Sequence, residues 1–230
     1  TILGAISSKI LDVQPLITEE VELANYAEIY GDMRKHGSIA SILKFPVDST
    51  IERVVPVGEN RTMVGSGKLG IIGAGNFASA TIIPALQKVN APIKYIASAQ
   101  GLTAKVLAKK AKAENATSDY RVMLNDPEVN TVIITTRHNL HASMVMETLE
   151  AGKSVFVEKP LCLNEEELQN IENAYMEAND NITLTVGFNR RFSPFAVKMK
   201  ALVGGGPKNI VATMNAGYIP PEVWVQDMEV

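Results

Sequence analysis

The sequence predicts an α/β protein built on a parallel sheet, and three observations carry that expectation. Five short apolar runs, at 69–72, 93–97, 132–135, 154–157 and 182–186, are each bounded by turn residues. Most are separated by stretches whose apolar residues recur at helical spacing, the alternation expected of right-handed βαβ units. The first run leads through Gly73, Ala74 and Gly75 into a helical pattern, so a glycine turn joins strand to helix at the head of the series.

Bulk properties narrow the function classes. At 230 residues the chain has room for one or two domains and a sizeable core. A net charge of -3 gives no electrostatic reason to expect nucleic acid or a membrane surface as partner, and no apolar run approaches the ~18 residues of a membrane span. The lone cysteine, Cys162, excludes an intrachain disulfide and a cysteine-rich zinc site; with three histidines, no metal site is expected. Residues 1–9 lack the basic-then-apolar pattern of a secretory signal, which makes the cytoplasm the expected compartment. Because the chain opens at Thr1 and stops at Val230, it reads as a piece of a longer protein.

Taken in order, residues 1–48 read as a helix between two strands. Residues 9–17 are largely apolar around Pro15. Thr18 suits an N-cap, and Val21, Ala24 and Ala27 share a helical face that Gly31 ends. A second strand is expected over 38–45, closed by Pro46. Residues 49–67 mix Pro, Gly and charged residues without a period and read as a linker. The sheet series occupies 68–188. Its clearest helix follows Leu163, with Asn164 as N-cap and Glu165, Glu166 and Glu167 at the positive end of the helix dipole. Leu168, Ile171, Tyr175 and Ala178 share one of its faces. A helix over 193–203 and an alternating strand over 210–218 then begin a second α+β domain, of which residues 189–230 hold only the start. That strand is expected to pair with residues 1–48 or with a second molecule, since bare strand edges seek partners.

The glycine turn is the first motif that carries chemistry. In Gly73-Ala74-Gly75-Asn76-Phe77-Ala78 the first glycine allows the tight turn and the second lets a pyrophosphate approach the backbone. Ala78 takes the third place, where helix packs on strand. The N–H groups that open the helix at Asn76 and Phe77 would face the phosphates. At the head of a βαβ series this predicts a Rossmann doubly wound parallel sheet binding NADP or NAD; a purely structural glycine turn is the blander alternative. Pro84 should bend or shorten the helix. About 20 residues beyond the glycines an acid usually selects NAD, but the sequence there is Ala97-Ser98-Ala99-Gln100. Ser98 suits a ribose hydroxyl or a 2′-phosphate, and Lys105 tips the expectation slightly towards NADP. On their own, Lys105, Lys109 and Lys110 are an ordinary solvated helix face. Glu158-Lys159-Pro160 ends the fourth run, on the edge where open α/β sheets bind ligands. A lysine there can polarise a substrate oxygen, although by composition alone a Lys-Pro step is a turn.

Between Lys68 and Arg191 the chain resembles the glucose-fructose oxidoreductase/inositol dehydrogenase (Gfo/Idh/MocA) family. The matching pieces are Gly-Ile-Ile-Gly-Ala-Gly-Asn-Phe-Ala at 70–78, Thr-Thr-Arg-His-Asn-Leu-His at 135–141, Glu-Ala-Gly-Lys-Ser-Val-Phe-Val-Glu-Lys-Pro-Leu at 150–161 and Gly-Phe-Asn-Arg-Arg-Phe-Ser-Pro at 187–194. The resemblance implies NAD(P)-linked oxidation of a secondary alcohol on a sugar, nucleotide sugar or cyclitol by a two-domain enzyme. It implies Lys159 as the active-site lysine and Glu158 as a ligand of the nicotinamide half. Thr135, Thr136 and His138 would lie beside the cofactor, and Asn189 and Arg190 at the hinge into the second domain. It also implies a cis Lys159–Pro160 bond. His141 matches too and, opening a helix, is expected to hydrogen-bond locally. Cys162 is expected to be a buried small residue and His36 a surface one.

Two departures qualify the resemblance. In the family a histidine of the second domain serves as general acid/base beside the lysine. No histidine follows Tyr218 here, so this chain is expected to bind cofactor and to turn over substrate negligibly. At the front, Leu-Asp-Val-Gln-Pro-Leu-Ile-Thr at 11–18, with the helix carrying Tyr26, resembles the tail of zinc-type medium-chain alcohol dehydrogenases. That implies a fusion with an upstream module, which would hold any zinc. The competing class is a nucleotide-binding regulatory module without turnover: Glu158-Lys159-Pro160 argues against it for the parent protein, while the missing histidine makes it a fair description of this chain, and intact Gly73 and Gly75 argue against a structural module with a degenerate site. Homo-oligomerisation is left open.

Overall fold

A computed structural model describes residues 1–30, 39–46, 53–58, 67–213, 215, 217–221 and 223, in two compact units, Thr1–Glu52 and Arg53–Val230. In the first unit, α1 (Ile2–Ser7) is capped by Thr1, whose hydroxyl accepts from the Gly4 N–H. A 3-10 turn at Gln14–Leu16 leads into β1 (Ile17–Glu22), and a second turn at Leu23–Asn25 into the short α2 (Ala27–Tyr30). β2 (Ala40–Lys44) then pairs with β1 in parallel.

This corrects two expectations, the strand over 9–17 and the helix starting at Thr18. Ile17, Glu19 and Val21 are the less exposed positions of β1, a period of two. Over so short a run, spacing does not separate that period from a helical one. Thr18 serves the sheet: its hydroxyl donates to the Ala40 carbonyl and accepts from the Ile39 N–H. Ser41 donates to Glu19, and Lys44 pairs with Glu20 at 2.6 Å. The expected helix end at Gly31 and the surface His36 lie outside the described residues.

The second unit contains β3 (Val54–Pro56), β4 (Lys68–Ile72), β5 (Ile93–Ala97), β6 (Asn115–Thr117), β7 (Val129–Ile134), β8 (Ser154–Glu158) and β9 (Leu184–Gly187). Between successive parallel strands run α3 (Ile83–Lys88), α4 (Gly101–Ala111), α5 (Arg121–Leu124), α6 (His141–Glu150) and α7 (Glu165–Glu177), with α8 (Pro194–Val203) after β9. The strand order is β3-β6-β5-β4-β7-β8-β9, in which every neighbouring pair is parallel except β3 on β6. Order reverses between β4 and β7, the switch point of a doubly wound sheet. The fold class is therefore the expected one.

Successive residues of a strand face opposite sides, and the core follows that rule in two layers. Ile72 and Ile134 pack with Val145 and Leu149 of α6 and Ile171 of α7. Their neighbours Ile71 and Ile133 pack with Ile83 of α3 and Ala104, Leu107 and Ala108 of α4. α7 starts as expected: Asn164 accepts from the Glu167 N–H at 2.8 Å, and Glu167 reaches back to the Leu163 N–H at 2.7 Å.

Three features differ from the sequence reading. Val54, Val55 and Pro56, inside the expected linker, pair antiparallel with β6, and Arg53 bonds Asp119 at 2.6 Å. The sheet unit thus takes in residues from 53 onwards. The helix after the glycine turn widens into a π turn at Ala78–Ile82 before α3 begins with Pro84 in its first turn. Proline cannot donate the usual helical hydrogen bond and its ring crowds the preceding turn, and the wider turn accommodates both. Finally, the described residues of 210–218 form no strand, and Val211 is 94% exposed. Alternation alone makes no strand where the backbone has no ladder to join. Among the described residues, no helix is long and apolar enough to cross a membrane.

Ile134 is fully buried at the centre of the sheet, so Ile134→Ala should cost about 2–5 kcal/mol. Asn164→Ala, which removes a cap on an exposed helix end, should cost about 1 kcal/mol. Urea denaturation midpoints of the two variants would check both the size and the order.

Candidate cofactor site

The residues expected at the site lie along one edge of the sheet, beyond the carboxyl ends of its strands. Gly73 follows β4 and Ser98 follows β5; Thr135, Thr136 and His138 follow β7. Glu158 ends β8 with Lys159 next, and Asn189 and Arg190 open a 3-10 turn just past β9. Open α/β sheets bind ligands on this edge, at the switch point.

The two glycines of the turn have different reasons to be glycine. Gly73 has φ +104°, and a Cβ there would lie 2.7 Å from the Thr135 carbonyl oxygen. The turn is latched on both sides: the Gly73 N–H donates to the Ala97 carbonyl at 2.9 Å, and the Thr135 N–H donates to the Ile72 carbonyl at 2.8 Å. The Thr135 hydroxyl adds a bond to the Gly73 carbonyl at 3.1 Å. At Gly75 a Cβ would meet nothing within 4 Å. That leaves open space in front of the first turn of the helix, whose N–H groups have no carbonyl of the preceding turn to bond. Asn76 and Phe77 open this turn and Ala78 is fully buried beneath it.

Just past β5, Ser98 lies with its hydroxyl 2.8 Å from that of Thr103, which donates to the Gln100 carbonyl. Lys110 of α4 is engaged elsewhere, donating to Ser79.

Glu158 is the least comfortable group on this edge. Its Oε1 is buried without a hydrogen-bond partner. Burial raises its carboxyl above the usual range, opposed by the Lys159 N–H and by the charges of Lys159 and His141. Gly187 faces it across the β8–β9 ladder, where a Cβ would come within 2.6 Å of Oε1. Burial first, then the charges of Lys159 and His141, hold the His138 imidazole below its ordinary value. Lys159 itself is exposed, and its bond to Pro160 is cis. Cys162 is half-buried against the core, and burial pushes its thiol up, away from thiolate chemistry. Among the described residues no cluster of His, Cys, Asp or Glu is gathered to hold a metal ion.

Sequence reasoning gave no role to Gly187 or Thr103. Gly187 stood inside a quoted motif, and a glycine at a strand end facing an acid was the available signal. Thr103 carried none.

Two substitutions test this geometry. Gly73→Ala forces a left-handed backbone and a backbone clash, and should lower stability by about 2–4 kcal/mol; Gly75→Ala should leave the denaturation midpoint nearly unchanged. For Glu158 the raised pKa means that the fold prefers the protonated form. Its cost is absent below the unfolded carboxyl value near ~4.3 and grows as pH rises through the folded value. Glu158→Gln should therefore raise the urea midpoint at pH 7 and leave it unchanged at pH 4.

The chain is similar to several known oxidoreductases. The oxidoreductase YrbE of Bacillus subtilis, itself uncharacterised, is 36% identical over 137 residues, covering 60% of this chain and 40% of that protein. Inositol 2-dehydrogenase/D-chiro-inositol 3-dehydrogenase of Lactiplantibacillus plantarum is 32% identical over 142 residues, again covering 60% and 40%. The solved structure of levoglucosan dehydrogenase in complex with NADH and L-sorbose superposes with a TM-score of 0.54 at 31% identity, covering 60% of this chain and 38% of that one. The chain thus spans about 40% of the length of these relatives. Residues 67–188 match the Gfo/Idh/MocA oxidoreductase family, described by its NAD-binding Rossmann fold, and the chain belongs to that family.

Proposed function

We propose that the chain supplies the cofactor-binding part of an NAD(P)-dependent dehydrogenase that oxidises a secondary alcohol of a sugar, nucleotide sugar or cyclitol. The observation that carries this reading is the gathering of the open glycine turn, Ser98, Thr135, Thr136 and the Glu158–Lys159 pair on one sheet edge. The relatives named for inositol and levoglucosan oxidation support the substrate class. The open space at Gly75 fits a pyrophosphate, with Asn76 and Phe77 offering N–H groups at the positive end of a helix. Glu158, with an unpartnered carboxylate oxygen, suits a hydroxyl or amide donor of the nicotinamide half. Bound nicotinamide supplies the hydride acceptor. Lys159 would hold its ammonium beside the substrate oxygen and polarise it as the hydride moves, while the hydroxyl proton passes to a general base supplied by the substrate domain. Asn189 and Arg190 form the passage into the substrate domain.

Between the two dinucleotides we favour NAD, against the tilt that Lys105 suggested. With the Thr103 hydroxyl hydrogen given to the Gln100 carbonyl, Ser98 is the donor of the Ser98–Thr103 bond and retains acceptor capacity only. A ribose hydroxyl can donate into it; a 2′-phosphate has nothing to donate. We further read residues 1–48 as an alcohol-dehydrogenase-like tail, with the parallel β1–β2 pair in its favour, and place the protein in the cytoplasm.

Titration of the chain with NADH and NADPH tests the reading. NADH should bind, and Gly75→Asp should abolish binding while the protein stays folded. NADPH binding the more tightly would refute the Ser98 argument, and a folded chain that bound neither would sink the proposal. In the full-length protein, assayed on a panel of polyols, Lys159→Met should lower turnover by roughly 10²–10⁴-fold. Unchanged turnover would remove Lys159 from the reaction.

A further inference from the structure

We infer that His141 is a positioning residue that staples the loop after β7 to the turn carrying Lys159, donating from both ring nitrogens. The inference rests on the dinucleotide reading of the site and refines it. His141 opens α6 and is 0% exposed. Its Nδ1 lies 2.6 Å from the Pro160 carbonyl oxygen and its Nε2 3.2 Å from the Thr136 carbonyl oxygen. The two carbonyls belong to the two loops that flank the nicotinamide side of the site. Thr136 is next to the latch at Thr135, and Pro160 is bonded directly to Lys159. A single buried ring therefore fixes one loop relative to the other.

The protonation state follows from the partners. A carbonyl oxygen only accepts, and a neutral imidazole carries one N–H. Two acceptors at hydrogen-bond distance are both satisfied only by the ring that carries a proton on each nitrogen. With one proton, a nitrogen lone pair would face a carbonyl oxygen inside the protein, where no water can separate them.

The surrounding charges act in both directions. The His141 ring lowers the raised pKa of Glu158 through space. Lys159 and His138, whose ring lies 5.7 Å away edge-on, oppose a positive His141 ring, as does the N-terminus of α6. The two carbonyls are the groups that hold the two ring protons.

Nitrogen-edited NMR on the chain labelled with ¹⁵N-histidine reads this directly. His36→Gln and His138→Gln variants assign the His141 ring by elimination. At pH 7 with saturating NADH, both His141 nitrogens should carry a proton; a single N–H there would overturn the staple. The positioning role is read by comparing NADH with ADP-ribose, which keeps the adenosine and pyrophosphate and lacks the nicotinamide. His141→Gln, with one donor group in place of two opposed ones, should weaken NADH binding about tenfold, the scale of one lost hydrogen bond, and leave ADP-ribose binding unchanged. Equal weakening of both ligands, or of neither, would overturn it. A wild-type chain that stays folded and binds neither ligand would overturn the dinucleotide reading itself, a result distinct from either outcome for His141.

Discussion

In a parallel sheet all strands deliver their carboxyl ends to one edge, and where the strand order reverses the loops above diverge and leave a crevice. Here the reversal lies between β4 and β7, and the rest of the site depends on how closely the turn after β4 can approach the end of β7. Gly73 makes that approach by having no Cβ and a positive φ, so that its backbone lies against the Thr135 carbonyl. The bonds from Thr135 to Ile72 and Gly73, and from Gly73 to Ala97, then hold three strand ends together. The latch places Gly75 beyond the sheet edge, where the open space begins. One glycine is required by the fold, while the other borders open space.

The two ends of the sheet treat charge in opposite ways. At the amino end Lys68 pairs with Glu114 at 2.9 Å, Lys94 with Asp126 at 2.6 Å, and both lysines with Glu128. Burial and the hydrogen bond to Asp126 push the Tyr95 phenol up to about 12. The buried Lys153 ammonium donates to the carbonyls of Asp126 and Val129. Glu114 Oε2 lacks a partner, but its other oxygen is held by Lys68. At the carboxyl end Glu158 has neither a cation within salt-bridge distance nor a side-chain donor on Oε1. An unsatisfied buried group is costly. The fold confines that cost to the carboxyl edge of the sheet, while the opposite edge is neutralised by its own residues.

Legibility in the sequence followed the range over which each requirement acts. β4, β5, β7 and β8 were legible because both faces of a central parallel strand are buried, which writes a continuous apolar run such as Leu69-Gly70-Ile71-Ile72. β6 was not, because Asn115-Ala116-Thr117 is short and only partly apolar; its place is set by β5 on one side and β3 on the other. β3 was hidden for the same reason in a stretch rich in proline and glycine. In β1 the competition was between periods: Val21 and Ala24 suit a helical face, but the hydroxyl of Thr18 found the backbone of residues 39 and 40, a partner that no local pattern announces. The site was more legible than the periphery. Gly73, Gly75 and the Glu-Lys-Pro step are local in sequence, whereas Gly187 and Thr103 matter only through the side chains they meet in space.

Glu158 and Lys159 illustrate what adjacency in sequence means once the sheet has formed. Glu158 is the last residue of the β8–β9 ladder, and its position is set by pairing with Gly187, whose missing side chain leaves room for the carboxylate. Lys159 is one residue further on, outside the ladder, with an exposed side chain on a turn. The acid is therefore placed by the sheet, with the precision of backbone hydrogen bonds. The lysine is placed by its turn, whose far side meets α6 through the Pro160 carbonyl. The carboxylate is thus held to the register of the strands, whereas the reach of the lysine is not dictated by that register.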